Sequence, residues 1–214
     1  MKITEAATLL ATLGLSCFLT ASNLSAMKVV EVYNIHLTAG FFTYPFVYFF
    51  SAIIIAIRSP RAYYQCIIIA YIGYLTFISL MYLSSIAPGL EIESNLNQSF
   101  NSIYSLSNYR VYLSSLCAYF ISMFLFGVLF SSLKIKSIAY RITVSTFIVA
   151  LVDVKLFLTL AFFGVKENNL LFSIMLWSSI TKLVAQLIFI PPTIFVINAI
   201  RNRSEYYVGK NEYR

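Results

Sequence analysis

Residues 141–164, RITVSTFIVALVDVKLFLTLAFFG, form an apolar stretch long enough to cross a bilayer, and Asp153 and Lys155 sit near its middle. A charged side chain at that depth costs at least ~3 kcal/mol unless something compensates it. Asp153 lies twelve residues in from Arg141, so neither Asp153 nor Lys155 is expected to snorkel easily to the headgroups. The stretch is therefore expected to be a helix lining a polar cavity inside a membrane bundle.

Composition agrees with a bundle of this kind. Of the 214 residues, 60% are hydrophobic and only 11% charged, with a mean hydropathy of +0.82, whereas soluble domains carry roughly 25% charged residues. Six apolar runs, at about 6–24, 37–57, 63–86, 109–133, 138–164 and 170–200, predict an all-α integral membrane protein with six transmembrane helices. They leave no room for a soluble domain of ordinary size, so residues 1–200 are read as one membrane domain and 201–214 as a polar cytoplasmic tail. The first run has a lysine before it and Leu24-Ser25-Ala26 after it, as a cleaved signal peptide would. Glu5 and the polar stretch Thr20–Asn23 favour its retention as the first span.

The net charge of +7 does not imply a nucleic-acid partner, because the basic residues fall mainly in short loops and the tail. Lys2, Arg58, Arg61, Lys134, Lys136, Arg141, Arg201, Arg203, Lys210 and Arg214 would share one side of the membrane, and Lys28, Arg110 and Lys166 the other. The positive-inside rule then places both termini in the cytoplasm. The longest loop, 88–108, is rich in Ser and Asn and has no basic residue.

Two breaks interrupt the apolar runs. Gly40 and Pro45 in LTAGFFTYPF suggest either a broken helix beside a binding site or a packing kink. Pro191-Pro192 is expected to break the last helix near one end. Ala7 and Ala11 form a small-residue pair that permits close helix contact.

The remaining polar residues form a pattern. Ser178, Lys182 and Gln186 are spaced by four and project from one face of the last helix, and Ser145 and Asp153 share a face of the fifth, with Thr146 adjacent. Asp153 is expected to meet Lys182 across the bundle, each lowering the other's desolvation cost, whereas Lys155 points elsewhere. Holding two helices together is one use for such a pair, and a functional site is the default reading of charges at this depth. His36 is alone near a membrane edge, the cysteines Cys17, Cys66 and Cys117 are scattered, and no phosphate loop, nucleophile with a base, or metal-ligand spacing appears. Neither an enzyme nor a cofactor is expected.

The order and spacing of several short segments resemble the VUT family of bacterial six-helix inner-membrane proteins. These segments are Asn23 with Lys28 in SNLSAMK, Gly40 and Pro45 in AGFFTYPF, and Arg110, Ser115, Ala118 and Tyr119 in YRVYLSSLCAY. The remainder are Arg141, Ser145, Thr146 and Asp153 in RITVSTFIVALVD, then Phe157, Phe162 and Gly164, and Lys182 with Pro191 in TKLVAQLIFIPP. The family's queuosine-precursor transporters import 7-deazaguanine bases. The resemblance implies a multi-pass inner-membrane transporter for such a base or a related heterocycle, with proton coupling through Asp153 as an extension. Asp153 would accept hydrogen bonds from an amidine-like edge, and Lys182 and Gln186 would meet a ring carbonyl. Ser145, Thr146 and Asn23 would border the base, Tyr119 or Phe157 would stack on it, and Arg110 would stand near the outer entrance; Tyr44 and Phe46 are weaker candidates. Polar residues usual in the family are replaced by Ala52, Ala56, Met123, Phe126 and Ala150. A homodimer, an energising partner docked on the Ala7–Ala11 face, and a diverged accessory role stay open as alternatives.

Overall fold

A computed structural model describes residues 3–33, 35–104 and 108–212. Lys2 and Arg214, counted in the charge asymmetry, lie outside the described residues. Among the described residues seven α-helices run in the order α1 (Ile3–Ser25), α2 (Tyr44–Ile57), α3 (Pro60–Ser85), α4 (Ser94–Tyr104), α5 (Tyr109–Ser132), α6 (Ile138–Phe162) and α7 (Asn168–Glu212). Five of them, α1, α3, α5, α6 and the 168–204 part of α7, are long and apolar enough to cross a membrane. The chain is a helical multi-pass membrane protein.

The second apolar run differs from the helix expected over 37–57. Val29–Val32 (β1) and Ile35–Thr38 (β2) form an antiparallel hairpin, Val29 opposite Thr38 and Val32 opposite Ile35. A 3-10 turn over Ala39–Phe42 follows, and α2 begins only at Tyr44. The β-branched residues of VVEV and IHLT favour a strand, which hydropathy alone does not register. Pro45 falls in the first turn of α2, where its missing N–H costs nothing, so it starts the helix rather than kinking it. Gly40 lets the 3-10 turn approach α1 closely: a Cβ there would lie 2.8 Å from the Ser22 carbonyl oxygen.

At fourteen residues α2 spans roughly 21 Å, less than a bilayer core. It is buried nearly all round, ten of its fourteen residues having lost almost all exposure, as suits a helix surrounded by others rather than by lipid. It packs chiefly against α1 and α7. Ala11 is 3% exposed and belongs to this core. Ala11, one of the two small residues on this face of α1, therefore packs inside the chain, while Ala7 is half-buried.

Three further expectations are corrected. Within the 88–108 loop the chain forms a 3-10 turn at Glu91–Glu93 and then α4, whose Leu96, Phe100 and Ile103 share one face and bury nothing in the bundle. The last helix is not broken at Pro191-Pro192, and it continues through residues read as a tail. A helix in lipid has no water to take over its backbone groups, so losing two hydrogen bonds at the prolines is less costly than opening the turn. Lys155 is exposed, and because α6 ends at Phe162 it stands about 10 Å from that end, which its four-carbon stem largely covers.

Antiparallel α5 and α6 form the most extensive helix pair, fastened at both ends by arginine. From the start of α5, Arg110 donates Nε–H to the Leu160 carbonyl at 2.9 Å and an Nη–H to that of Phe163 at 2.6 Å. From the start of α6, Arg141 donates Nε–H to the Phe130 carbonyl at 2.9 Å, adds a second bond from its Nη, and lies 4.3 Å over the Phe130 ring. Each guanidinium thus caps the carbonyl end of the other helix, where positive charge is favoured. Gly164, at φ +76°, makes the left-handed turn that ends α6. Arg141→Leu is expected to lower stability by about 1.5–3 kcal/mol, since it strands the Phe130 carbonyl. Thermal unfolding in detergent measures this, with Lys155→Gln, at an exposed position without described partners, staying within ~0.5 kcal/mol of the unsubstituted chain.

Candidate functional site

Asp153 and Lys182 meet as the sequence spacing suggests: Lys182 Nζ is 2.6 Å from Asp153 Oδ2, and both side chains are nearly buried. Two other helices complete the arrangement. Ser122 of α5 donates its hydroxyl to Asp153 Oδ1 at 3.2 Å, and the ammonium also lies 3.5 Å from the centroid of the Tyr44 ring at the start of α2. The carboxylate therefore accepts at both oxygens, while the lysine sits between an anion and the electron-rich face of an aromatic ring. Lys182 comes from α7 and Asp153 from α6, neighbours along their length.

A cavity of about 30 Å³ opens beside this pair. Its wall on the α1 side is Ser22, Asn23 and Ala26; Thr38 of β2, Gly40 and Tyr44 close the hairpin side; Ser115, Ala118 and Tyr119 of α5 and Phe157 of α6 complete it. Asn23 Nδ2, Tyr44 OH, Ser115 Oγ and Tyr119 OH are buried and complete no hydrogen bond of good geometry among the described residues, although Tyr44 lies within reach of Asp153 and Tyr48, and Asn23 and Ser115 within reach of the Tyr74 hydroxyl. Each such group costs about 1–3 kcal/mol when left unpaired, so a ring of four around one cavity is a chemically primed surface. The cavity is roomy enough for about two waters, whereas small-molecule pockets run to ~300–1,000 Å³. This conformation is closed, and a planar heterocycle requires the walls to part.

The walls differ at the two ends. Toward the hairpin, Val29 and Val111 pack over a cluster of Val154, Leu158, Ala161, Phe162, Leu171 and Ile174. Toward the opposite, basic end the bundle is a continuous apolar core. Ala52, Ala56, Met123, Phe126 and Ala150, read in the sequence as replacing polar residues of the resembled family, all lie within it. Phe126 packs against the rings of Tyr48 and Tyr63 at 6.4 and 6.1 Å, Tyr63 donates to the Met123 carbonyl at 3.0 Å, and Ser51 to its sulfur at 3.3 Å. The polar groups that face the cavity thus lie in the hairpin half, whereas the buried polar groups toward the basic end, Ser51, Ser145 and Gln186 among them, do not line it.

Of the residues singled out in the sequence, Asn23, Tyr119, Asp153, Phe157 and Lys182 line the cavity. Four do not. Thr146 donates to the carbonyls of Ile142 and Thr143 in its own helix. Ser145 is buried without a described partner, two turns from Asp153 toward the basic end, and Gln186 is buried one turn beyond Lys182 in the same direction. Arg110 is committed to the end of α6 and faces away from the cavity. Phe46 stacks on Phe18 at 4.3 Å instead of lining the site. Ser22, Ser115 and Ser122 were missed as site residues. Ser115, Tyr119 and Ser122 follow one another at helical spacing, a polar stripe visible in the sequence. His36 pairs with Glu31 across the hairpin at 3.7 Å, outside the site, and no three His, Cys, Asp or Glu side chains gather as a metal site among the described residues.

Comparison with curated proteins and with solved structures returns no match. A family model does: residues 38–196 match the model described as "Putative vitamin uptake transporter", a stretch that starts at the last residue of β2 and includes the 3-10 turn, all of α2 to α6 and Lys182. The match covers well over half of the chain, and the chain belongs to this VUT family of membrane transporters.

Proposed function

We propose that this protein imports a queuosine precursor of the 7-deazaguanine type, or a related planar heterocycle, across the bacterial inner membrane, binding it at the Asp153–Lys182 pair. The observation that carries this reading is the conjunction of a buried ion pair with four unpartnered polar atoms around one cavity. Asp153 accepts from an amidine-like N–H edge once Lys182 or Ser122 releases an oxygen, and the freed ammonium meets a ring carbonyl. Asn23, Ser115 and Tyr119 supply the remaining edge contacts, while Tyr44 and Phe157 offer faces for stacking. The family description, vitamin uptake, fits a small polar ring compound of this kind. In this reading α2 with the preceding 3-10 turn forms a sixth crossing, both termini are cytoplasmic, and the hairpin faces the periplasm.

Proton coupling through Asp153 extends the proposal: a proton on the carboxylate dissolves the ion pair and frees Lys182. The apolar packing of the basic half favours a second reading, in which the chain captures its ligand from the hairpin side and a partner drives the opening. Uptake by the purified protein alone in proteoliposomes excludes that reading.

The decisive experiment is thermal unfolding of the detergent-purified chain against free 7-deazaguanine precursors, guanine, xanthine and uracil. A true ligand at a hundredfold excess over its Kd adds about 2.7 kcal/mol to stability. The expected result is a shift with a deazaguanine that vanishes in Asp153→Asn. Absence of a shift with every base removes the substrate assignment.

Stability and function separate in a second experiment. Asp153→Leu alone leaves a buried ammonium uncompensated and is expected to cost about 3–5 kcal/mol, whereas Asp153→Leu with Lys182→Met is expected to recover most of that loss. The double variant should unfold near the temperature of the unsubstituted protein yet show no ligand shift. A retained shift would mean that the pair only joins α6 to α7.

A further inference from the structure

The end of the bundle remote from the Asp153–Lys182 pair holds a second cavity, of about 340 Å³. It opens where α2 and α5 end and where α3 and α6 begin, with α7 passing alongside. Three arginines border it: Arg58 after α2, Arg141 in the first turn of α6, and Arg201 of α7. Arg141 is bonded to the Phe130 carbonyl, and Arg201 donates one Nη–H to the Ala56 carbonyl at 2.6 Å. Arg58 is exposed and makes no described side-chain contact. A guanidinium carries five N–H donors, so most of those around this cavity are uncommitted.

The electrostatics favour an anion. Among the described residues that line this cavity there is no carboxylate beside the three guanidinium charges, and the Glu31–His36 and Asp153–Lys182 pairs lie elsewhere. The carbonyl ends of α2 and α5, which would repel an anion, are the ones covered by Arg201 and Arg141. The starts of α3 and α6, capped by Ser59 and Ser137, turn their positive ends to the same space. Ile55, Ala56, Pro60, Phe130 and Ile138 give the rest of the wall an apolar face, with the Ser131 hydroxyl beside it. Forked guanidinium donors over an apolar wall at a helix-bundle end match a phosphate group carried on a hydrocarbon chain.

We propose that this cavity binds a phosphate group, and that its occupant is the headgroup of an anionic glycerophospholipid from the adjoining leaflet; a free phosphate ester offers the same chemistry. Occupancy links the end of α2, the α5–α6 turn and α7, and so holds the basic half of the bundle together. This site is independent of the heterocycle site and of any substrate assigned there.

The test titrates the detergent-purified full chain with dioleoylphosphatidylglycerol, dioleoylphosphatidylcholine and glycerol 1-phosphate, reading thermal unfolding and, by native mass spectrometry, bound stoichiometry. The expected result is a stabilising shift and one retained phosphatidylglycerol, with no shift from phosphatidylcholine. Arg58→Gln should weaken the apparent affinity about tenfold, the order expected on losing one charge-assisted hydrogen bond. Arg61→Gln, a neighbouring arginine outside the cavity, should leave it unchanged. Because Arg58 supports no described contact, its replacement reports on the ligand and not on folding, and equal unfolding temperatures without ligand check this. Stabilisation by glycerol 1-phosphate that is likewise lost in Arg58→Gln assigns the cavity to a free phosphate ester instead of a lipid. Absence of a shift with both phosphate compounds, or equal weakening by Arg58→Gln and Arg61→Gln, overturns the proposal.

Discussion

The arrangement of this bundle depends on one buried ion pair. Asp153 and Lys182 are each too costly to bury alone, and they come from different helices, so α6 and α7 are compelled to meet face to face at one register. Ser122 and the Tyr44 ring then tie α5 and the start of α2 to the same point. A purely apolar contact between these helices would tolerate sliding by a turn. An ion pair with both carboxylate oxygens occupied does not, because a shift of one turn would separate the charges in a medium that cannot solvate them.

Around that point the interior divides into two chemically unlike halves. The hairpin half keeps polar groups at Asn23, Tyr44, Ser115 and Tyr119 around a small cavity, whereas the basic half is filled by Met123, Phe126, Tyr48 and Tyr63 with alanines at 52, 56 and 150. The five positions read in the sequence as departures from the resembled pattern, Ala52, Ala56, Met123, Phe126 and Ala150, therefore cluster in space.

The helix ends are managed by the same economy. Arg110, Arg141 and Arg201 each donate to backbone carbonyls at the end of a neighbouring helix. This satisfies acceptors that lipid cannot and places positive charge where the helix dipole favours it. Such contacts need no acidic partner, which is consistent with a chain that has 15 basic residues and only 8 acidic ones.

Much of this was legible in the sequence because hydrophobic run length and helical spacing act locally. They are enough to establish a helical membrane protein, the common face of Ser178, Lys182 and Gln186, and the isolation of Asp153 in an apolar stretch. They do not report which helices become neighbours. Tertiary structure decided that Asp153 reaches Lys182, that Ser122 completes its coordination, and that Thr146 and Arg110 spend their donors on backbone carbonyls instead of the cavity. It also decided that Val29–Val32 pairs with Ile35–Thr38 as a hairpin while a shortened α2 lies largely inside the bundle. Hydropathy cannot distinguish a segment surrounded by lipid from one surrounded by other helices, since both are apolar. Only packing separates them.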